Sequence, residues 1–168
     1  MLAVVWEVGE ERFTVDASQV VEVVPVVALH RAAGLPAWVL GLGDYHGRLI
    51  PILDAAKLVD VSPSPPSLGA RVLVLAVEAC GARRLVGLQV SAVQGVASID
   101  PADATGHRGF ASTEAPHLGA VVRIGERTAR RVVLDRFLAG SNGELLFGAD
   151  ERSDAERSAH VLREDPAA

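Results

Sequence analysis

Residues 41–54 read GLGDYHGRLIPILD, and this stretch decides the fold. Its polar, glycine-rich first half predicts a tight turn at 44–47, and the apolar run at 49–53 predicts a strand. The carboxylate of Asp54 can then cap a short helix by accepting backbone N–H groups of its first turn. Because proline cannot donate to a β-ladder, Pro51 predicts that this strand lies at a sheet edge or at a bulge.

The composition favours an aliphatic β protein. Hydrophobic residues make up 49% of the 168 residues and aromatic residues only 4%, with valine abundant throughout. The net charge of −5 argues against nucleic acid as a partner, because binding phosphate backbones relies on clustered cations. The single cysteine, Cys80, allows no intramolecular disulfide, and we interpret it as structural. With no secretory signal and no run of about 20 apolar residues, we expect a cytoplasmic protein without membrane insertion.

Short strands joined by turns fill most of the chain on either side of the opening stretch. Further strands are predicted at 1–8, 13–15, 19–27, 71–77, 84–90, 95–99, 119–124 and 127–133. A proline-rich linker at 62–67 and a long irregular connection at 101–118 interrupt them. We expect one β domain at 1–139, followed by an acidic tail at 140–168. A capping box from Ser153 to Glu156 predicts that part of this tail is helical.

An internal repeat predicts the architecture. Residues 93–96 resemble residues 20–23, and each segment follows a predicted hairpin. Asp54 and Asp135 both follow a strand and are predicted to begin a short capped helix. Each unit is a hairpin, a strand, a long connection, a second strand and the helix. The sequence therefore predicts an all-β fold of two similar barrels, each with about five short strands.

No pattern of residues predicts catalysis or metal binding. A phosphate loop, a nucleophile elbow and a local Ser/His/Asp signature are all missing from the sequence. None of the five histidines has the spacing of a zinc site, so we interpret them as scattered loop residues. They are His30, His46, His107, His117 and His160. We therefore expect a protein that is not an enzyme and binds no metal or cofactor. The alternative is a small-barrel enzyme or ligand-binding domain, which requires an apolar pocket with convergent titratable groups.

Arginines cluster around the last predicted hairpin. They are Arg123, Arg127, Arg130, Arg131 and Arg136. Such a set is typical of a solvated strand face. The alternative is a rim for an acidic protein partner, such as a kinase, for which Arg123, Arg127 and Arg131 are the candidates.

From about Val4 to Leu138 the chain resembles the CheW-like family, the coupling proteins of bacterial chemosensory arrays. The family signature Gly-Val-x-Asn-x-Arg-Gly-x-x-x-Pro-x-x-Asp is matched by residues 41–54. Further matches are Pro36, residues 20–23, residues 90–93, Gly119 and the pair Leu134-Asp135. The resemblance implies two SH3-like β-barrels.

The chain departs from the family pattern at three positions. Asp44 replaces the family Asn, His46 the family Arg, and Ser91 the family Asp. In the family a Glu and this Arg can form a salt bridge near the receptor-contact region. Here Glu22 is expected to face His46, so that a titratable ring replaces a permanently charged guanidinium.

The resemblance implies a non-catalytic adaptor. One barrel would contact the regulatory domain of a CheA-type histidine kinase, and a groove between the barrels would take the cytoplasmic tip of a chemoreceptor. The groove residues implied are Val20, Glu22, Gly41, Leu42, Asp44, His46 and Val90. For Val90 a core position is the equal alternative. The departures leave open a divergent interaction protein of another chemosensory-like pathway, such as surface motility or pilus control.

Overall fold

The computed structural model describes residues 1–63, 65–100, 102 and 114–148. The strands are β1 (Leu2–Val8), β2 (Glu11–Asp16), β3 (Val20–Pro25), β4 (Leu29–His30), β5 (Val39–Tyr45), β6 (Arg48–Asp54), β7 (Arg71–Ala79), β8 (Ala82–Val90), β9 (Ala92–Ser98), β10 (Leu118–Ile124) and β11 (Arg127–Val132). The helices are α1 (Ala55–Leu58), α2 (Leu134–Phe137) and α3, at residues 141–148. Among these residues no helix is long and apolar enough to cross a membrane. Three features of the sequence lie outside the described residues: the helix predicted to begin at Ser153, and the histidines His107 and His160.

Barrel I is built from the contiguous strands β3 to β8, in the order β3-β7-β8-β6-β5-β4. Its interior contains the buried side chains of Ile50, Ile52, Val72 and Val74, with Val24 of β3 packed against them. The sheet curls so far that Tyr45, at the end of β5, reaches a side chain of β3. The two sides of the sheet therefore meet at a seam, and the structure confirms the barrel fold.

Barrel II takes strands from both ends of the β region, in the order β10-β11-β2-β1-β9. Its small interior is lined by Ala3, Ile99, Val122 and Ala129. The first hairpin, β1–β2, therefore pairs with β9 and β11, which follow the second hairpin. The second hairpin, β7–β8, pairs with β3 and β6, which follow the first. The repeat is present, but each barrel combines the hairpin of one unit with the remaining strands of the other.

A main core lies between the barrels and is larger than either interior. Trp6 and Phe13 enter it from barrel II, stacked with ring centroids 4.8 Å apart, and Leu53, Leu73 and Leu75 enter it from barrel I. Trp6 and these three leucines are 0% exposed. Burying one such side chain is worth about 1.5–3 kcal/mol, against about 0–1 kcal/mol for an exposed ion pair. The apolar interface therefore holds the two barrels together.

Of the two positions predicted for Pro51, a sheet edge is wrong, whereas an irregularity in the β5–β6 pairing lies next to it, between Val39 and Gly41. The β6 strand is not at an edge, because it lies between β5 and β8. Its parallel ladder with β8 begins only at Ile52, so Pro51 removes no donor on that side. On the other side Pro51 faces Leu42 of β5. The proline is tolerated because one of the two ladders starts after it.

The two short helices begin differently, although the repeat predicted the same cap. Asp54 caps α1 as predicted, accepting the Ala56 N–H at 3.0 Å. The corresponding position before α2 is Val133, which offers no side-chain acceptor. Asp135 lies inside α2, so its predicted role as a cap is wrong. Its carboxylate instead accepts the amide of Gln19 at 2.9 Å.

His117 lies in the turn before β10, so it is a loop residue as predicted, but its ring is buried at the joint between the barrels. The ring is 5% exposed and lies just before β10. Its Nε2–H donates to the carbonyl oxygen of Leu58 at the end of α1, over 2.6 Å. The ring also packs edge-on against Phe137 of α2, at 4.9 Å between centroids. Phe137 in turn packs edge-on against Trp38, which leads into β5.

The buried position of His117 makes the stability of the fold depend on pH. Burial is the main cause that lowers the pKa of His117 below its ordinary value of 6.5; the hydrogen bond to Leu58 raises this pKa, and the charge of Arg130 lowers it. As the pH falls below about 6.5, the unfolded chain binds a proton that the folded chain resists.

We therefore expect the free energy of unfolding to decrease as the pH is lowered from about 7 to 5. In His117→Gln, which keeps an N–H donor but cannot be protonated, this decrease should be smaller. Urea unfolding at a series of pH values measures both. The same pH dependence in the two proteins would contradict a neutral, buried His117.

Candidate protein-interaction site

The β5–β6 hairpin brings the most distinctive residues of the opening stretch to the surface. Its two turn residues, His46 and Gly47, have φ angles of 50° and 80°, as a type I′ hairpin turn requires. Asp44 accepts the Gly47 N–H at 2.8 Å, which fixes the turn from inside the stretch. The predicted turn is thus confirmed, with a histidine in a left-handed conformation that non-glycine residues seldom adopt.

The turn meets β3 through a polar cluster of three side chains, which we call the seam cluster: Glu22, Tyr45 and His46. The phenol of Tyr45 donates to Glu22 Oε2 at 2.6 Å, and His46 Nε2 lies 3.3 Å from the same oxygen. The pairing of Glu22 with His46 was expected from the resemblance, and the two side chains do meet. Tyr45 was missed, although it is the shorter contact and the adjacent residue in the sequence.

The seam cluster keeps a negative charge at the surface. The hydrogen bond from Tyr45, followed by that from His46, lowers the pKa of Glu22 below its ordinary value of 4.5. The same bond raises the pKa of Tyr45 above its ordinary value of 10.0. Glu22 is therefore ionised and Tyr45 neutral at neutral pH. The cluster presents one oriented carboxylate, flanked on β3 by the exposed Val21 and Val23.

Of the other predicted groove residues only Asp44 is exposed, in the same hairpin as the cluster. Val90 is 3% exposed and belongs to the main core, so its burial favours the core alternative. Val20 and Leu42 are half-buried. Gly41 is buried beneath β4, where an added Cβ would lie 2.9 Å from the carbonyl oxygen of His30. Gly41 is thus needed for strand packing.

A small cavity lies in the cleft between the barrels. Its volume is about 150 Å³, and Val8 of barrel II and Gln89 of barrel I are among its lining residues. The proline-rich segment covers it, with Pro65 and Pro66 in the lining. The hydroxyl of Ser67 holds this segment by donating to the Ser91 carbonyl at 3.1 Å.

The candidate arginines do not form one surface. In the β10–β11 register Arg123 is opposite Thr128, and Arg127 is opposite Ile124, so Arg123 points to the opposite face from Arg127. Arg131 shares the face of Arg127, because the two are four residues apart on one strand. Glutamates lie close to this hairpin: Glu10, Glu11 and Glu126 line the same depression as Arg127. Within the described residues the arginines therefore do not form a uniformly basic rim.

Metal binding is not indicated in the part of the chain that the structure describes. No group of three His, Cys, Asp or Glu side chains comes together there in a way that could hold an ion.

Removing the Tyr45 hydroxyl should change the pKa of Glu22. In Tyr45→Phe the strongest hydrogen bond to the carboxylate is lost, so the pKa of Glu22 should rise toward its ordinary value of 4.5. NMR titration of the Glu22 carboxyl carbon measures the change. The titration of Glu10, an exposed glutamate in the β1–β2 turn, should not move. An unchanged pKa of Glu22 would contradict the hydrogen bond.

Three comparisons with known proteins agree with one another. Residues 3–140 match the family description "CheW-like domain". A probable chemotaxis protein CheW of Rhizobium etli is 27% identical over 99 residues, which cover 57% of this chain and 59% of that protein. The crystal structure of scaffolding protein TtCheW from Thermoanaerobacter tengcongensis superimposes with a TM-score of 0.72 at 21% identity. That comparison covers 84% of this chain and 94% of the other.

The structural likeness supports the fold, and the family match extends over both barrels and α2. It ends at residue 140, just before α3. The match therefore includes the seam cluster, the β5–β6 hairpin and the cleft between the barrels. On these grounds the chain belongs to the CheW-like family of chemotaxis proteins.

Proposed function

We propose that the chain is a non-catalytic adaptor that couples chemoreceptors to a CheA-type histidine kinase in a bacterial chemosensory array. The observation that carries this proposal is the family match over residues 3–140, which includes the exposed seam cluster. The cluster lies where the resemblance implies receptor contact. Its carboxylate is exposed and is held in a fixed position by two neighbours.

The receptor side of the proposal rests on the chemistry of β3. A row of three exposed residues on β3, at the end of its sheet, comprises Val21, Glu22 and Val23 and offers one negative charge beside apolar side chains, with Val23 on the opposite face of the strand from Glu22. A helix that carries a cation between apolar residues would complement this row in both charge and hydrophobicity. The cytoplasmic tip of a chemoreceptor is a helical coiled coil, so it is the partner that we assign to this surface.

The kinase side of the proposal rests on the rigidity of the two barrels. The regulatory domain of a CheA-type kinase is itself CheW-like, so it offers a barrel of the same shape. The main core fixes the barrels of this chain relative to one another. An adaptor that must hold a kinase and a receptor in a defined geometry needs such a fixed pair of surfaces, and needs no catalytic group.

A second candidate is favoured by the seam cluster itself. His46 stands where the family has Arg, so the partner of Glu22 can lose its charge, and Tyr45 supplies the shorter contact. This difference favours a receptor outside the standard type, in a pathway that controls surface motility or pili. The two candidates share the adaptor role and differ only in the receptor that they bind.

Binding measurements with purified protein test the proposal. The chain should bind the regulatory domain of its cognate kinase and the signalling tip of a receptor at micromolar concentrations. Glu22→Lys should weaken receptor binding by about tenfold or more, because it reverses the only charge of the β3 row. Kinase binding should stay within about twofold, because the two surfaces differ.

A matched variant separates a local effect from net charge. Glu10→Lys makes the same charge change at the tip of the β1–β2 hairpin and should leave receptor binding within about twofold. Equal weakening by both variants would reject the β3 row as the receptor surface. Failure of the unmodified chain to bind either kinase or receptor at micromolar concentration would reject the adaptor role. Binding only to a receptor of another pathway would select the second candidate.

A further inference from the structure

The helix α3, at residues 141–148, follows the last residue of the family match and is packed into the protein. Phe147 is 6% exposed and belongs to the main core, and Leu146 packs against the same core. The opposite side of the helix faces solvent, with Leu145 63% exposed. The helix therefore has one docked face and one free face.

Three contacts hold the docked face. The guanidinium of Arg84, near the start of β8, lies 5.3 Å from the centre of the Phe147 ring, within cation–π range. The side-chain amide of Asn142 donates to the Phe137 carbonyl at the end of α2, over 3.0 Å. Gly143 comes so close to α2 that an added Cβ would overlap the Leu138 carbonyl oxygen. The docking surface is thus formed by α2 and by the β7–β8 hairpin.

The helix that α3 contacts is also part of the joint between the barrels. Within α2, Phe137 packs against Trp38 and His117, and Asp135 accepts hydrogen bonds from the Gln19 side chain and the Glu78 N–H. Any change in the position of α2 is therefore felt by residues of both barrels. We propose that residues 141–148 are a C-terminal clasp, which docks on α2 and the β7–β8 turn, shields the Cys80 thiol and holds α2 in the barrel joint.

Cys80 is a built-in probe of this docking. It is the only cysteine of the chain, lies in the β7–β8 turn and is partly buried. A Cβ added at Gly143 would lie 3.6 Å from its sulfur atom, so the helix covers the thiol at this point. The rate at which an aromatic disulfide reagent labels Cys80 therefore reports how often the clasp opens. This inference does not depend on the identity of the kinase or the receptor.

Two glycine substitutions in the full-length chain test the clasp. Both replace a glycine of α3 by alanine, but only Gly143→Ala places a methyl group against the end of α2. We expect Gly143→Ala to accelerate labelling of Cys80 by about tenfold or more, because it opens the docked helix. In Gly148→Ala the new Cβ lies 3.8 Å from the Glu144 Cβ, an ordinary contact, and labelling should stay within about twofold.

A second pair of variants and one measurement on the unmodified protein complete the test. Phe147→Ala should accelerate labelling, whereas Leu145→Ala should not. Far-UV circular dichroism detects whether the destabilising variants unfold the chain. If they do, the test is the labelling rate of Cys80 in the unmodified protein at increasing urea concentrations. The clasp predicts a weak urea dependence, since its local opening exposes little surface. Equal rates in Gly143→Ala and Gly148→Ala, or labelling that occurs only with global unfolding, would overturn the proposal.

Discussion

The rest of the structure depends on the apolar contact between the two barrels. Trp6, stacked on Phe13, is fully buried against side chains from barrel I, and the helices α1 and α2 close the same core from its ends. Neither barrel has an interior of comparable size, since barrel II encloses only a small cluster around Val122. A barrel of five or six short strands with so little interior gains most of its stability by packing against its neighbour. The relative orientation of the barrels is therefore set by the core and is not adjustable at small cost.

This constraint explains why the two sequence units exchange their hairpins. Each hairpin leaves one unit and completes the sheet of the other, so no barrel can form from one unit alone. The equivalence extends to details: β3 and β9 each contain an irregular position, near Val21 and Gln94, where they pair with the hairpin of the other unit. The seams differ, however. Glu22 of barrel I corresponds to Gly95 in barrel II, so barrel II lacks the carboxylate that closes the seam of barrel I.

Local features of the fold could be predicted from the sequence. The turn at His46-Gly47 and the hairpin at Cys80-Gly81 could be predicted because glycine readily adopts the positive φ angle of a tight turn. The cap at Asp54 could be predicted because its carboxylate can accept a backbone N–H of the first helical turn. The exchange of hairpins could not be predicted, because pairing between strands far apart in the sequence, such as β1 with β9 and β3 with β7, leaves no trace in a local pattern. For the same reason the choice between an edge and a bulge for Pro51 stayed open: its position depends on where a distant strand, β8, begins to pair.

The candidate site was predictable to a similar extent. The resemblance led from the Glu and Arg of the family to Glu22 and His46, and the structure brings these two side chains together. The contact between Tyr45 and Glu22 was not predicted, because the direction of the Tyr45 side chain depends on how the barrel closes. The burial of His117 depends in the same way on α1, which is distant in sequence. Both residues acquire their environment from a contact between elements that only the complete fold defines.

The central claim, that the two barrels form one cooperative unit around a shared core, is tested most directly by native-state hydrogen exchange. The slowest backbone amides of β1 in barrel II and of β7 in barrel I should open with the same free energy, equal to that of global unfolding. Both strands pair with a neighbour on each side, so their amides report on the opening of each sheet. A difference of more than about 1 kcal/mol between the slowest amides of the two strands would show that one barrel unfolds without the other, and would contradict the account.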